Sequence, residues 1–235
     1  MDHAQPFETF ASTSQRRRIM SDVFTLHGSP HSQFTYKVAL MLNLSRQPFC
    51  FRYVSFQKGV HLTPEFRELS RWGQVPVLQH GDHTLVQSGA ILEYLAATLG
   101  KFGSHHRVVQ QRIREWLYWN TDRLAPPIYG CYGVKLGQLK LLPTVFDPVI
   151  VDYHRRRAEA ALGVLDGNLV GHDFLVSGQP TIADICCYGE AAFAQLCDFE
   201  LGRWPNIGRW AGRIAALPGF KAPFDLLTMA DAQIS

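Results

Sequence analysis

The chain has 235 residues, 46% of them apolar and 18% charged, enough for a packed core in one large domain or two small ones. A formal net charge of +3 is too small to point to nucleic acid or a membrane surface, and no apolar run approaches the roughly 18 residues of a membrane span. The five cysteines include no Cys-x-x-Cys pair and no zinc-like spacing, so they read as free thiols in a reducing, cytoplasmic setting, with no metal site expected.

Residues 1–21 are polar, carry Arg16-Arg17-Arg18 and lack the apolar core of a signal peptide, so they read as a tail, with Met20 a second candidate start. Val23-Phe24-Thr25-Leu26-His27 reads as a buried strand stopped by Gly28-Ser29-Pro30. Phe34, Val38, Met41 and Leu42 recur at helical spacing behind Ser32, a capping residue. Phe49 to Val54 reads as a second strand, and strand–helix–strand over so short a span implies a parallel crossover unit. After a polar stretch and a short helix, Val75-Pro76-Val77-Leu78 and His83-Thr84-Leu85-Val86 flank Gly81-Asp82 as a hairpin. Ile91, Leu92, Leu95, Ala96 and Leu99 then mark one face of a helix ended by Gly100.

Beyond this point no strand pattern remains. Three helical periodicities follow: Val109, Ile113, Trp116, Leu117, Asn120 and Leu124; then Ile150, Tyr153, Ala161, Leu162 and Leu165; then Ile182, Ile185, Cys186, Gly189, Phe193 and Leu196. The expected organisation is therefore α/β plus all-α. Residues 22–100 form a βαβ-α-ββα domain, 101–107 a linker and 108–228 an all-helical domain. Arg155-Arg156-Arg157 falls in a helical pattern and reads as a solvated face. His105-His106 has no third ligand nearby in sequence.

Two short signals carry chemistry, and each also has an ordinary structural reading. Pro76 inside a strand belongs at an edge, where a cis Val75–Pro76 bond would turn Val75 outward to pair with an extended peptide. Ser88 follows a strand at a helix N-terminus, where unpaired N–H groups favour a carboxylate. Thr181-x-x-Asp184 is a capping box with a structural role.

Taken together, several segments resemble serine-type cytosolic glutathione transferases, closest to the phi-, theta- and zeta-like bacterial members. They are Leu26 to Ser32, Lys58 to Phe66, Gly73-Gln74-Val75-Pro76-Val77-Leu78, Gln87-Ser88-Gly89-Ala90-Ile91, Thr181 to Asp184, and Trp204 to Phe220, spanning about residues 22 to 224. The resemblance implies a thioredoxin-like N-terminal fold, glutathione as co-substrate, a small hydrophobic electrophile as second substrate and a homodimer. Arg112 and Arg114 flank the core face of their helix and are candidates to pair across the two-fold axis. Ser32 matches the family's thiolate-stabilising serine, with Ser29 the runner-up. His61, Gln74, Val75, Pro76, Gln87 and Ser88 match glutathione-binding positions. His31, Tyr118, Trp119 and Tyr129 are candidates for the second-substrate pocket. Three departures bear on affinity: Gln87 stands where many classes have Glu, Leu62 replaces a common lysine, and Gly89 a common arginine. Glutathione-dependent isomerisation, peroxide or disulfide reduction, and a non-catalytic scaffold remain the alternative functions.

Overall fold

The computed structural model describes residues 23–142 and 147–234; the expected tail over 1–21 lies outside them. Strand β1 (Phe24–Gly28) runs parallel to β2 (Phe49–Tyr53), with Phe24 opposite Phe49 and Gly28 opposite Tyr53. Helix α1 (Gln33–Leu44) joins them and is buried on every residue except Phe34. A helix enclosed on all sides should be apolar throughout, and Val38 to Leu42 satisfy this, so its polar members Thr35 and Lys37 need partners. Helix α2 (Pro64–Leu69) starts behind the Thr63 cap. The hairpin β3 (Val77–His80) and β4 (His83–Val86) turns at Gly81, which takes a positive φ of 56°. Helix α3 (Ser88–Leu99) buries Ile91, Leu92, Leu95 and Ala96 on the face their spacing defines and stops at Gly100, φ 63°.

The helical half begins with α4 (Arg107–Trp119), which passes through a π-helical turn at Asn120–Leu124 into α5 (Ala125–Gln138). Pro126 and Pro127 occupy the first turn of α5, where a missing N–H costs least. Helix α6 (Pro148–Asn168) is capped by Asp147, and α7 (Ile182–Gln195) by Thr181 in the expected capping box. Asp184 is fully buried and accepts from the N–H groups of Leu175 and Thr181 (both 2.8 Å) and from Trp210 Nε1 (3.0 Å). This residue ties the start of α7 to α8 (Pro205–Ala215). Helix α7 packs on α1, so the two halves share one continuous apolar core. Among the described residues, no helix is long and apolar enough to cross a membrane.

The structure corrects one expectation. After the short helix α9 (Pro223–Leu226), the chain returns to the sheet as β5 (Ala232–Ile234), antiparallel to β2, giving the order β4-β3-β1-β2-β5. Three residues carry no readable period. The strand exists because β2 offers an open edge, and pairing covers it. Asp231 anchors the approach by accepting from Tyr53 N–H at 2.8 Å and pairing with Arg52 at 3.2 Å.

Candidate active site

A cavity of about 400 Å³ opens between the sheet half and helix α5 with the π-helical turn before it. Its floor is the loop between β1 and α1. Gly28 ends the strand so close to α1 that an added Cβ would run into the Thr35 side chain. The chain then turns, with Ser32 N–H donating to Ser29 C=O at 3.0 Å. The two serines part company here. Ser29 is 1% exposed, lies off the cavity lining, and its hydroxyl oxygen accepts from His31 N–H at 3.3 Å. Ser32 lines the cavity and caps α1, its Oγ accepting from Thr35 N–H at 3.2 Å. A hydroxyl has one proton to donate besides the lone pairs that accept. The cap therefore leaves the Ser32 O–H available to an anion at the N-terminus of α1, where the helix dipole acts in the same sense.

The facing wall comes from the segment before β3. Ser70, fully buried, donates to Gln74 C=O at 2.8 Å and accepts from Gln74 N–H at 3.1 Å. Gly73 adopts φ 60°, and a Cβ there would meet the His61 carbonyl oxygen at 2.8 Å. These contacts present Gln74, Val75 and Pro76 to the cavity, with the Val75–Pro76 bond cis. Among the described residues, Val75 makes no backbone hydrogen bond. His61 joins this wall; its Nδ1 is buried without a partner, and burial lowers its pKa. At the far end, Gln87 caps α3 with φ 70° and donates from Nε2 to Gln74 Oε1 at 3.3 Å. Ser88 opens the helix, where the first N–H groups have no helical acceptor.

No Lys, Arg, Asp or Glu lines the cavity among the described residues. Anion stabilisation there falls to hydroxyls and to the N-termini of α1 and α3. Gly89, where an arginine is common in the resembling family, has open space around its Cβ position. Leu62 is 57% exposed and off the lining.

The remaining wall is largely apolar: Phe34, Ala125, Pro126, Tyr129, Leu136 and Leu142, with Thr121 and His31 the polar members. Thus Ser32, His61, Gln74, Val75, Pro76, Gln87, Ser88, His31 and Tyr129 meet at one cavity, whereas Tyr118 and Trp119 do not reach it. Tyr118 is 73% exposed on α4, and Trp119 packs edge-on to Trp116 at 5.2 Å. The cause is helical rotation: Ile113 and Leu117 face the core, so position 118 points about 100° away. Sequence reasoning did not assign Phe34, Phe56, Ser70, Trp72 and Thr121 to the lining. Phe34 has the spacing of a core residue and is in fact the one α1 residue turned toward the cavity side.

Comparisons with known proteins agree with this architecture. Residues 26–101 match the family model of the glutathione S-transferase N-terminal domain, and residues 145–218 that of the C-terminal domain. Human glutathione S-transferase theta-2 is 31% identical over 181 residues, covering 73% of this chain and 72% of the relative. The disulfide-bond oxidoreductase YfcG of Escherichia coli is 26% identical over 192 residues, covering 78% and 86%. A crystal structure of a possible glutathione S-transferase from Rhodopseudomonas palustris superposes with a TM-score of 0.74 at 31% identity, covering 86% of this chain and 98% of that one. Two domain models matched in order, together with a relative of this identity across most of the chain, decide the matter: the chain belongs to the glutathione S-transferase family.

Proposed function

We propose that the protein is a glutathione transferase that joins the glutathione thiolate to a small apolar electrophile. The observation that carries this reading is the Ser32 hydroxyl, its oxygen accepting the cap bond at a helix N-terminus, in a cavity that also holds Val75, Pro76 and Ser88. Free glutathione resembles cysteine, with a thiol pKa of about 8.5, and its thiolate is the nucleophile. A hydrogen bond from Ser32 to sulfur favours the anion over the thiol. The helix N-terminus adds roughly 0.3–2 kcal/mol, and each 1.36 kcal/mol is about one pKa unit, so the thiol is brought toward neutral pH. Serine here stabilises the nucleophile and does not itself attack. The glutathione backbone pairs with Val75, its γ-glutamyl carboxylate lies on Ser88 and the N-terminus of α3, and His61, Gln74 and Gln87 hold its polar groups.

Titration with glutathione tests this directly. Ultraviolet thiolate absorbance at neutral pH is expected to rise to one equivalent per site, with turnover of an aryl or benzyl halide; absence of any thiolate signal would leave only a scaffold role. The resemblance to YfcG supports a second reading, in which the same thiolate attacks a disulfide and a second glutathione completes the exchange. No cysteine lines the cavity among the described residues, so this route runs through glutathione alone. Activity on a small disulfide exceeding that on halides would favour it.

The homodimer belongs to the same proposal. Within its own chain Arg114 pairs through Nε with Glu93 Oε1 at 2.6 Å, linking α3 and α4. Val108 (54% exposed) and Tyr118 (73% exposed) leave apolar surface on α4 for a partner to cover. Sedimentation equilibrium at micromolar protein is expected to give a mass near twice 26.5 kDa, and a mass near 26.5 kDa would rule out a stable dimer.

A further inference from the structure

Thiolate formation leaves His31 of the cavity lining without a task. His31 directly precedes Ser32 and lines the same cavity. Its Nδ1 lies 3.1 Å from the Tyr132 hydroxyl on α5. Tyr132 is 3% exposed and edge-on to Phe193 at 5.0 Å, while Phe224 of α9 lies tilted against the imidazole at 5.3 Å. The ring is therefore held by packing from two helices as well as by its own loop.

The direction of this hydrogen bond can be deduced. Tyr132 has no other hydrogen-bond partner among the described residues, and burial raises its pKa, so the phenol keeps its proton. A buried O–H that donates to nothing is costly. The proton is therefore given to Nδ1, which fixes the imidazole as the Nε2–H tautomer. Burial also lowers the His31 pKa, so the ring is neutral at neutral pH. Its Nε2 makes no hydrogen bond among the described residues and is not among the buried unpaired atoms, so it is solvent-accessible on a residue that lines the cavity. The result is a neutral N–H donor of fixed tautomer, beside the serine that holds sulfur and at the edge of an apolar wall.

We propose that the Nε2–H of His31 donates a hydrogen bond to an oxygen of the electrophile, and that this makes unsaturated carbonyl compounds with an alkyl tail the preferred second substrates. This rests on the transferase reading above. In the addition step, the glutathione sulfur forms a C–S bond to the β-carbon. The electron pair of the C=C bond shifts to form the enolate double bond, and the carbonyl π pair moves onto oxygen. His31 hydrogen-bonds that oxygen as its charge develops, and the α-carbon then takes a proton from water. No oxidant or reductant is needed. The alkyl tail lies against Phe34, Ala125, Pro126 and Leu142. Tyr132 is a positioning residue: it sets which nitrogen of His31 carries the proton.

The test uses the full chain with glutathione and two electrophiles: a long unbranched enal, which builds charge on oxygen, and benzyl chloride, whose charge leaves on chloride. A donor to the developing oxyanion acts on kcat rather than on KM. His31→Phe is expected to lower the enal-to-chloride ratio of kcat values about tenfold. Tyr132→Phe, which keeps the ring packing and frees the tautomer, is expected to lower it about threefold, again through kcat. Tyr129→Phe, which removes the phenol hydroxyl lining that wall, is expected to change the ratio less than either. Parallel losses on both electrophiles would assign His31 to packing and overturn the proposal, as would an unchanged ratio in both the His31 and Tyr132 variants or a larger effect at Tyr129. A wild-type protein that conjugates benzyl chloride but not the enal would overturn it while leaving the transferase reading intact. A wild-type protein that forms no thiolate and turns over neither compound would remove both.

Discussion

Ser32→Ala is expected to lower the conjugation rate by about 10- to 100-fold, and Ser29→Ala by far less. The magnitude follows from one hydrogen bond to a charged group, about 1.5–3 kcal/mol, at 1.36 kcal/mol per factor of ten. The asymmetry follows from geometry. The Ser32 oxygen already accepts from Thr35 N–H, which orients its proton away from the cap, and the residue lines the cavity. Ser29 is sealed at 1% exposure and lies off the cavity lining, so losing it disturbs the loop without removing a group that meets sulfur. Because Ser32→Ala also removes a helix cap, worth about 0.5–2 kcal/mol, the rate is to be read beside a melting curve. Ser32→Thr keeps both cap and hydroxyl and is expected to stay closer to wild type than Ser32→Ala. The thiol pKa of bound glutathione, followed by ultraviolet absorbance, is expected to rise by about one to two units in Ser32→Ala. Equal losses at the two serines, or a larger one at Ser29, would overturn the assignment.

The parts of this fold that were legible in the sequence are those fixed by short-range chemistry. Gly28-Ser29-Pro30 and Gly81-Asp82 break strands wherever they occur, and Thr181 with Asp184 closes a capping box from residues three apart. The cavity residues that could be named in advance sit on such local signals: Ser32 and Ser88 at helix starts, and Pro76, read as inside an edge strand although β3 begins one residue later at Val77. The aromatic candidates were less legible because residue type carries no rotation. Tyr118 and Leu117 are neighbours in sequence, yet one is exposed and the other buried. The His31–Tyr132 contact and the β5 edge strand are set by residues far apart along the chain, where no local period exists. The same holds for the buried pair Lys37 and Glu190. Lys37 stands out on α1 only as a charge within an apolar helix, and Asn120 falls in an apolar periodicity. Glu190, which pairs with Lys37, lies 153 residues beyond it.

That buried cluster carries the largest expected effect on stability. Lys37 Nζ lies 2.7 Å from Glu190 Oε1, 3.2 Å from Asn120 Oδ1 and 3.5 Å from Cys186 Sγ, with both charged side chains at most 1% exposed. Burial alone would favour the neutral form of each. For Lys37, the surrounding negative partners outweigh burial and hold the pKa above its ordinary value, so the ammonium persists. For Glu190, burial pushes the carboxyl up while Lys37 pulls it down, and the upward push prevails. Lys37→Met removes the pull and leaves the push. The expected cost is about 3–5 kcal/mol at neutral pH, the scale of an abandoned buried charge. It falls where α1 packs on α7, the join between the two halves, and α1 carries Ser32 at its start. The sign with pH follows from Glu190. Its folded pKa, already raised, rises further without Lys37. The folded variant then binds more protons than the unfolded chain at any pH above the unfolded carboxyl value of about 4.3. Its stability deficit against wild type is therefore smallest in acid and grows as pH rises through the window between the already raised folded pKa of Glu190 in the wild type and its higher value in the variant. Denaturant unfolding of Lys37→Met at mildly acidic and at neutral pH measures this directly. Lys37→Met combined with Glu190→Leu removes both charges and is expected to recover most of the loss, because an apolar pair of similar volume needs no compensation. A single variant within about 1 kcal/mol of wild type, or a double variant no better than the single, would show that the pair does not hold the two halves together.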